Sequence, residues 1–131
     1  MNGPIDFAGG LVRKAESDFT AAQLLLDAKV SLDAVCFHAQ QAAEKYLKAY
    51  LAARDIDFPF VHGLERLIGL CADQDSQFMA LLDPAAELSP YAVELRYDER
   101  FSPSIEAAQQ AVRNAERIRS FVRERIPREV I

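Results

Sequence analysis

The sequence is short of the residues that staple small proteins together. It has only two cysteines, Cys36 and Cys71, which are far apart and match neither a CxxC motif nor the ligand spacing of a zinc site. A chain of 131 residues buries enough apolar surface to fold without disulfides or metals. The class of disulfide-rich scaffolds is therefore excluded. We expect a reduced, cytoplasmic protein that needs neither a metal nor a cofactor.

Long apolar runs and an excess of positive charge are missing as well. The first ten residues, MNGPIDFAGG, lack a basic segment followed by an apolar one, and no apolar run matches the length of a bilayer. Acidic residues outnumber basic ones by 20 to 15, which gives a net charge of -5. Because such a molecule repels polyanions overall, any nucleic-acid site must be a local patch. We expect no membrane partner.

What the sequence does have is apolar residues that recur every three or four positions. Only 5 glycines and 6 prolines interrupt this pattern. We expect a single all-α domain over residues 1–131, folded as a four- or five-helix up-and-down antiparallel bundle. Alanine-rich helices allow close approach, so a homodimer that uses a leftover alanine face fits the sequence.

Serine, aspartate and proline mark the expected helix ends. The first three helices are predicted at about Asp6–Lys29, Ser31–Arg54 and Leu64–Cys71. In a less regular fourth region, Asp83-Pro84 and Ser89-Pro90 each resemble an N-cap followed by proline, which predicts two short helices or one kinked helix. Ser102-Pro103 is expected to begin the last helix. The predicted core face of the second helix consists of Leu32, Cys36, Ala39, Ala43, Leu47 and Tyr50. That of the last helix consists of Ile105, Ala108, Val112, Ala115, Ile118, Val122 and Ile126.

A polar stripe runs along the second helix, opposite its core face. At ~100° per residue, His38, Gln41, Lys45 and Lys48 fall on one side of this helix. Two ammonium groups three positions apart repel each other unless an anion lies between them, and Glu44 neutralises the pair only in part. The stripe is thus a candidate phosphate site. The alternative is the solvated face of an ordinary amphipathic helix.

Two later segments carry further candidates. His62 follows a proline in an aromatic loop, where it is either a helix cap or a general acid or base. Arg96 and Tyr97 are suited to binding a phosphate and stacking a base. Alternatively, Arg96 complements a helix dipole while Tyr97 packs on the bundle.

The last helix is rich in arginine and glutamate. Its charges are Arg113, Arg117, Arg119, Arg123, Arg125 and Arg128 against Glu106, Glu116, Glu124 and Glu129. Because the two signs are interspersed, a solvated helix with pairs three or four residues apart is favoured over an RNA-binding strip. Phosphate-binding glycine loops and the motifs of serine hydrolases, zinc sites and EF-hands are missing from the sequence.

Four segments, read together, resemble the HEPN domain family. They are AESDFTAAQLLL, VCFHAQQAAEKYLKAYL, FPFVHGLERL and YAVELRYDE, in that order. The resemblance extends over nearly the whole chain. It implies an α-helical bundle, commonly dimeric, often encoded beside a minimal nucleotidyltransferase, and thought to bind nucleotides or act on RNA.

Carried over position by position, the resemblance implies a set of ligand-binding residues. They are Gln41, Glu44, Lys45, Lys48, His62, Arg96 and Tyr97. Most of them are the residues that physical reasoning selects above.

The sequence departs from the ribonuclease members of that family, which carry an arginine and a histidine with four to six residues between them. No histidine follows Arg96 in that range, and His62 lies one step too far from Arg54. Without an acid or base partner, an arginine binds a phosphodiester but supplies no proton transfer. We therefore assign no catalytic residue. A second departure is that the usual Arg-Tyr-Pro of the family is Arg96-Tyr97-Asp98 in this chain.

Three hypotheses remain open. The leading one is a non-catalytic nucleotide- or RNA-binding module that pairs with a nucleotidyltransferase in a toxin-antitoxin-like system. The second is a metal-independent ribonuclease in which His62 or His38 comes close to Arg96 in space. The third is a dimerisation or adaptor bundle that binds no small ligand.

Overall fold

A computed structural model describes residues 3–58, 63–92 and 99–131, and within these ranges the chain is helical and has no β-strand. The α-helices are α1 (Pro4–Ala28), α2 (Leu32–Ala53), α3 (Leu64–Ala72), α4 (Leu82–Leu88) and α5 (Ile105–Arg123). Short 3-10 segments occupy Ser76–Leu81, Ser89–Tyr91 and Arg128–Val130. The prediction of an all-α bundle is confirmed.

The first two helices form an antiparallel hairpin. Lys29 and Ser31 make the turn with left-handed φ angles of 58° and 49°, and the amides of Lys29 and Val30 donate to the carbonyls of Leu26 and Leu25. Ser31 stands at the start of α2 as predicted, but its hydroxyl makes no capping bond. The left-handed backbone differs from the extended conformation that a capping serine normally adopts.

Helix α2 is the centre of the bundle and packs against α1, α5 and α3. Its tyrosines Tyr46 and Tyr50 are among the largest fully buried side chains. The ring of Phe78 lies 4.5 Å from that of Tyr50 and 4.9 Å from that of Phe121, measured between centroids. This aromatic cluster joins α2, the first 3-10 segment and α5 in one core.

The predicted start of the last helix is wrong by two residues. Ser104 has an extended backbone, with ψ at 164°, and its hydroxyl accepts a hydrogen bond of 3.0 Å from the amide of Ala107. Ser102 lies upstream in the connecting segment. The cap is therefore Ser104, because only there does an extended serine adjoin the first helical turn.

The two proline dipeptides of the fourth region do not cap helices as predicted. Helix α4 emerges directly from the preceding 3-10 segment at Leu82, so Asp83-Pro84 lies inside its first turn. Ser89 begins a 3-10 segment, yet its hydroxyl accepts a hydrogen bond of 2.9 Å from the amide of Leu64. It also donates to Glu65 at 2.5 Å. Ser89 thus satisfies the first amide of α3, a helix that precedes it in the sequence.

The buried face of α5 differs from the prediction at its N-terminal half. Ile105 and Val112 are only half-buried, whereas Ala111 and Asn114 are buried. The Asn114 amide donates to Glu87 of α4 at 3.3 Å, and its oxygen accepts from Gln110 at 3.0 Å. Asn114 is therefore buried through a polar contact with α4, and the spacing of apolar residues could not predict its burial.

The α5 arginines reach other elements more than they pair within the helix. Arg119 binds Glu16 of α1, and Arg117 donates to the carbonyl of Ala80 at 2.8 Å. Among the described residues, one ion pair within α5 joins positions three apart. It connects Arg119 and Glu116, and its N–O distance is long, at 3.5 Å. The predicted solvated helix with local pairs is thus only partly correct, since long guanidinium side chains satisfy groups on neighbouring elements.

Candidate functional site

The polar stripe of α2 is half-buried and lies opposite the predicted core face, which is fully buried except at Leu32. His38, Gln41, Lys45 and Lys48 all have intermediate exposure, whereas Cys36 on the opposite face is 0% exposed. The stripe is therefore not a fully solvated helix face. Polar groups held at partial burial need partners, and the structure supplies them.

Asp18 of α1 connects two members of the stripe across the hairpin. One carboxylate oxygen lies 2.9 Å from Nδ1 of His38, and the other accepts from Nζ of Lys45. The side chains of Asp18 and Lys45 are 14% and 24% exposed. Since a carboxylate can only accept, Nδ1 of His38 donates this hydrogen bond.

A second chain of hydrogen bonds runs along the helix itself. Glu44 accepts from Lys48 at 3.0 Å with one oxygen and from Gln40 at 3.2 Å with the other. Gln41 in turn donates to the side-chain oxygen of Gln40 at 2.7 Å. Glu44 is therefore a shared acceptor that holds Lys48 in place, and Gln40 links it to Gln41.

Each ammonium group of the stripe has its own carboxylate. Lys45 pairs with Asp18, and Lys48 pairs with Glu44 while lying 5.5 Å from the ring centre of Phe58. Two lysines and two carboxylates balance in formal charge. An external phosphate at this site must therefore share the lysines with two acceptors of the protein, of which the sequence of α2 indicates Glu44 but not Asp18.

Two site residues were missed by sequence reasoning. Asp18 is found only when the hairpin is folded in register, because it precedes the turn at 29–31 by about as many residues as the middle of the stretch from His38 to Lys45 follows it. That symmetry was available in the sequence as a signal. Gln40 is fully buried, and the signal for it was an amide placed inside the apolar face of α2.

The other sequence candidates, His62, Arg96 and Tyr97, lie outside the described residues. The phosphate-binding role of Arg96 and the stacking role of Tyr97 therefore stay predictions. So do the helix-capping and acid-base roles of His62.

A cavity of about 320 Å³ opens beside the histidine of the stripe. Its lining consists of Asp33, Ala34, Phe37 and His38. The ring of Phe37 meets that of His38 edge-on, with centroids 5.5 Å apart. The imidazole that Asp18 orients is thus next to a space large enough for a small polar group.

Across residues 3–58, 63–92 and 99–131, no three His, Cys, Asp or Glu side chains cluster in a way that would hold a metal ion. Within the same ranges, every helix is too short or too polar to cross a membrane.

The fold and the α2 stripe define a helical bundle whose central helix carries a half-buried polar motif, and comparison with known proteins identifies the family. A family model of the HEPN domain matches residues 8–125. The chain belongs to the HEPN domain family.

Comparison of structures agrees with this assignment. The crystal structure of an archaeal HEPN homologue aligns with a TM-score of 0.73 and 21% sequence identity, covering 97% of this chain and 100% of that chain. At this identity the likeness establishes the fold alone. A search of curated proteins gives no significant match.

Proposed function

We propose that this HEPN domain is a single-domain, non-catalytic module that binds a nucleotide or RNA and pairs with a nucleotidyltransferase in a toxin-antitoxin-like system. The ligand phosphate is held by Lys45 and Lys48, with Gln41 and Glu44 as neighbouring polar groups. Arg96, Tyr97 and His62 contribute a guanidinium, a stacking ring and a hydrogen bond. The protein acts as a homodimer in the cytoplasm.

The observation that carries this proposal is the partial burial of two ion-paired lysines on one helix face. Lys45 and Lys48 are 24% and 15% exposed. Exposed ion pairs add little to stability, and the desolvation of more deeply buried ones often offsets their attraction. Ion pairs of this kind are therefore poorly explained by stability alone. They keep two ammonium groups ordered at the surface, ready to exchange a carboxylate for a phosphate oxygen.

The test is RNA binding by neutral variants of the two lysines. Glutamine is the right replacement, because Lys45→Glu would bring a second carboxylate against Asp18 and damage the hairpin. In the double variant Lys45→Gln/Lys48→Gln, the affinity for a fluorescent RNA oligonucleotide should fall about tenfold or more. The plot of log affinity against log salt should become shallower by about 0.7 for each phosphate that the variant no longer binds.

Lys14→Gln is the matched control, since it removes the same charge from an exposed position of α1. Its affinity should change little. Unchanged RNA affinity in the double variant, at intact helix content, would remove the stripe as the binding site. A change of native mass instead of affinity would favour the adaptor hypothesis.

A second function, metal-independent ribonuclease, is favoured by the Asp18–His38 contact. A carboxylate that fixes Nδ1 leaves Nε2 of His38 free to accept a proton beside the 320 Å³ cavity. In this case Arg96 provides the phosphate contact. The purified protein should then cleave RNA in EDTA, and His38→Gln should abolish cleavage while His62→Ala tests the other histidine. Wild-type protein that leaves RNA intact in EDTA would discard this function.

A further inference from the structure

A second cavity lies at the end of the bundle where α2, α3 and α5 all terminate. Its volume is about 360 Å³, and its lining consists of Tyr50, Ala53, Arg54, Gln74, Arg125 and Pro127. On α2, Tyr50 is two positions from Lys48, so the two side chains point to nearly opposite sides of the helix. This cavity is therefore separate from the polar stripe, and a ligand bound in it would be independent of the proposed function.

The tyrosine of this cavity has a buried hydroxyl that no described residue satisfies. Tyr50 is 1% exposed, and its oxygen makes no hydrogen bond with any described residue. Buried hydroxyl groups nearly always have a partner, because leaving one unsatisfied is unfavourable. Burial raises the pKa of Tyr50, so the hydroxyl stays protonated and can donate.

Two arginines line the cavity together with Tyr50. Arg54 lies 4.9 Å from the centre of the Tyr50 ring and forms no ion pair with the described residues. Arg125 is held by Asp75 at 3.1 Å and by the side chain of Gln77 at 2.8 Å. Arg54 is thus available to a ligand, while Arg125 is fixed in position.

The formal charge of the described lining is positive. Among the described residues that line this cavity, both charged groups are arginines, since Asp75 and Glu124 contact Arg125 from outside the lining. Gln74 adds an amide that can donate to oxygen. The larger cavity beside Phe58, of about 470 Å³, has the opposite character, because the described part of its lining includes Asp55 and Asp57 and no arginine.

We propose that this cavity binds a phosphate monoester group, with the Tyr50 hydroxyl and the Arg54 guanidinium donating to its oxygens. A guanidinium matches the planar, two-pronged acceptor geometry of phosphate. The three non-bridging oxygens match donors of three kinds, a hydroxyl, a guanidinium and an amide. The volume exceeds that of phosphate alone, so the ligand is a small phosphorylated molecule.

The experiment titrates the full chain with inorganic phosphate, adenosine monophosphate and acetate, followed by calorimetry and by tyrosine signals in NMR spectra. Saturable binding of phosphate is expected, with acetate weaker. Tyr50→Phe removes only the hydroxyl and should weaken phosphate binding about tenfold, the loss expected for one charge-assisted hydrogen bond. Its melting temperature should be equal to or above that of the wild type, since the unsatisfied group is gone.

Arg54→Gln should weaken phosphate binding by at least a similar factor, and Arg66→Gln is its matched control on an exposed part of α3. Arg66→Gln should bind phosphate as the wild type does. The proposal is overturned if the wild type shows no saturable phosphate binding, if acetate binds more tightly than phosphate, or if Tyr50→Phe binds phosphate unchanged. The last result would mean that the hydroxyl is not a ligand and the arginines only balance the helix ends.

Discussion

Glu16 of α1 and Arg119 of α5 form a two-pronged ion pair that joins the first and last helices of the bundle. Nε of Arg119 lies 2.7 Å from one carboxylate oxygen and Nη2 lies 2.9 Å from the other. The hydroxyl of Tyr46 on α2 accepts from the same Nε at 3.2 Å. The hydrogen bond from Arg119 lowers the pKa of Glu16 below its ordinary value of 4.5, against the effect of burial. Three helices therefore meet at one guanidinium.

This pair predicts a pH-dependent contribution to stability. Because the pKa of Glu16 is lower in the folded than in the unfolded state, the contribution is complete above about pH 4.5 and is lost as the pH falls through the folded value. Glu16→Gln should therefore lower the free energy of unfolding by about 1 kcal/mol at pH 7, allowing for the solvent screening of a partly exposed pair. Urea titrations should show a smaller difference from the wild type at about pH 3.

Glu129→Gln is the control for this prediction, since Glu129 is exposed near the chain end. It should leave the unfolding free energy nearly unchanged at both pH values. A Glu16→Gln variant as stable as the wild type at pH 7 would mean that the ion pair contributes nothing net.

The cap of α5 gives a sharp comparison between two neighbouring serines. Ser104→Ala removes the hydroxyl that accepts from the Ala107 amide and should cost about 1 kcal/mol of stability. Ser102→Ala, two residues upstream, should cost almost nothing. Chemical denaturation of both variants checks this, and equal losses would contradict the assignment of the cap to Ser104.

Ser89 should stabilise the start of α3, although it follows that helix in the sequence. Ser89→Ala removes the acceptor of the Leu64 amide and the partner of Glu65, so a loss of about 1 kcal/mol is expected. Ser76→Ala, at an exposed serine of the first 3-10 segment, is the control. In hydrogen-exchange measurements, the first amides of α3 should lose protection in Ser89→Ala and not in Ser76→Ala. Unchanged protection of the Leu64 amide would show that Ser89 is not its cap.

The parts of the fold that could be predicted are those set by local periodicity. The third helix, predicted at about Leu64–Cys71, is observed at Leu64–Ala72, and both predicted end residues are buried. The choice between Ser102 and Ser104 could not be made, because it depends on which serine has an extended backbone next to the first turn. The capping of α3 by Ser89 depends on how the third and fourth helices pack, and no local pattern encodes that.

In the candidate site, too, one part could be predicted from the sequence and another part could not. The stripe of α2 follows from one helix and its period, so His38, Lys45 and their neighbours were identified together. Their partner Asp18 comes from α1, and only the register of the hairpin reveals it. The cavity beside Tyr50 depends on three helix ends meeting, and sequence reasoning had placed Tyr50 in the core without a further role.

The two cysteines should be unreactive toward thiol reagents in the folded protein. Both are free and 0% exposed, and burial raises the pKa of Cys36 to about 11 and that of Cys71 to about 12. At pH 8 both thiols are therefore almost entirely protonated, and the thiolate is the reactive form. A thiol reagent in native buffer should therefore label the chain only at the rate at which α2 and α3 open.

Ser17→Cys provides the positive control, because Ser17 is exposed on α1 and its replacement adds one accessible thiol. That variant should react quickly with one equivalent of reagent and then pause until urea is added, when the two native thiols react as well. Rapid native labelling of the wild type, with its circular dichroism unchanged, would contradict the burial of both thiols. Because Cys71 lies against the α2 backbone, with its sulfur 3.8 Å from the carbonyl oxygen of Leu47, its labelling rate also reports on the packing of α3 against the helix that carries the candidate site.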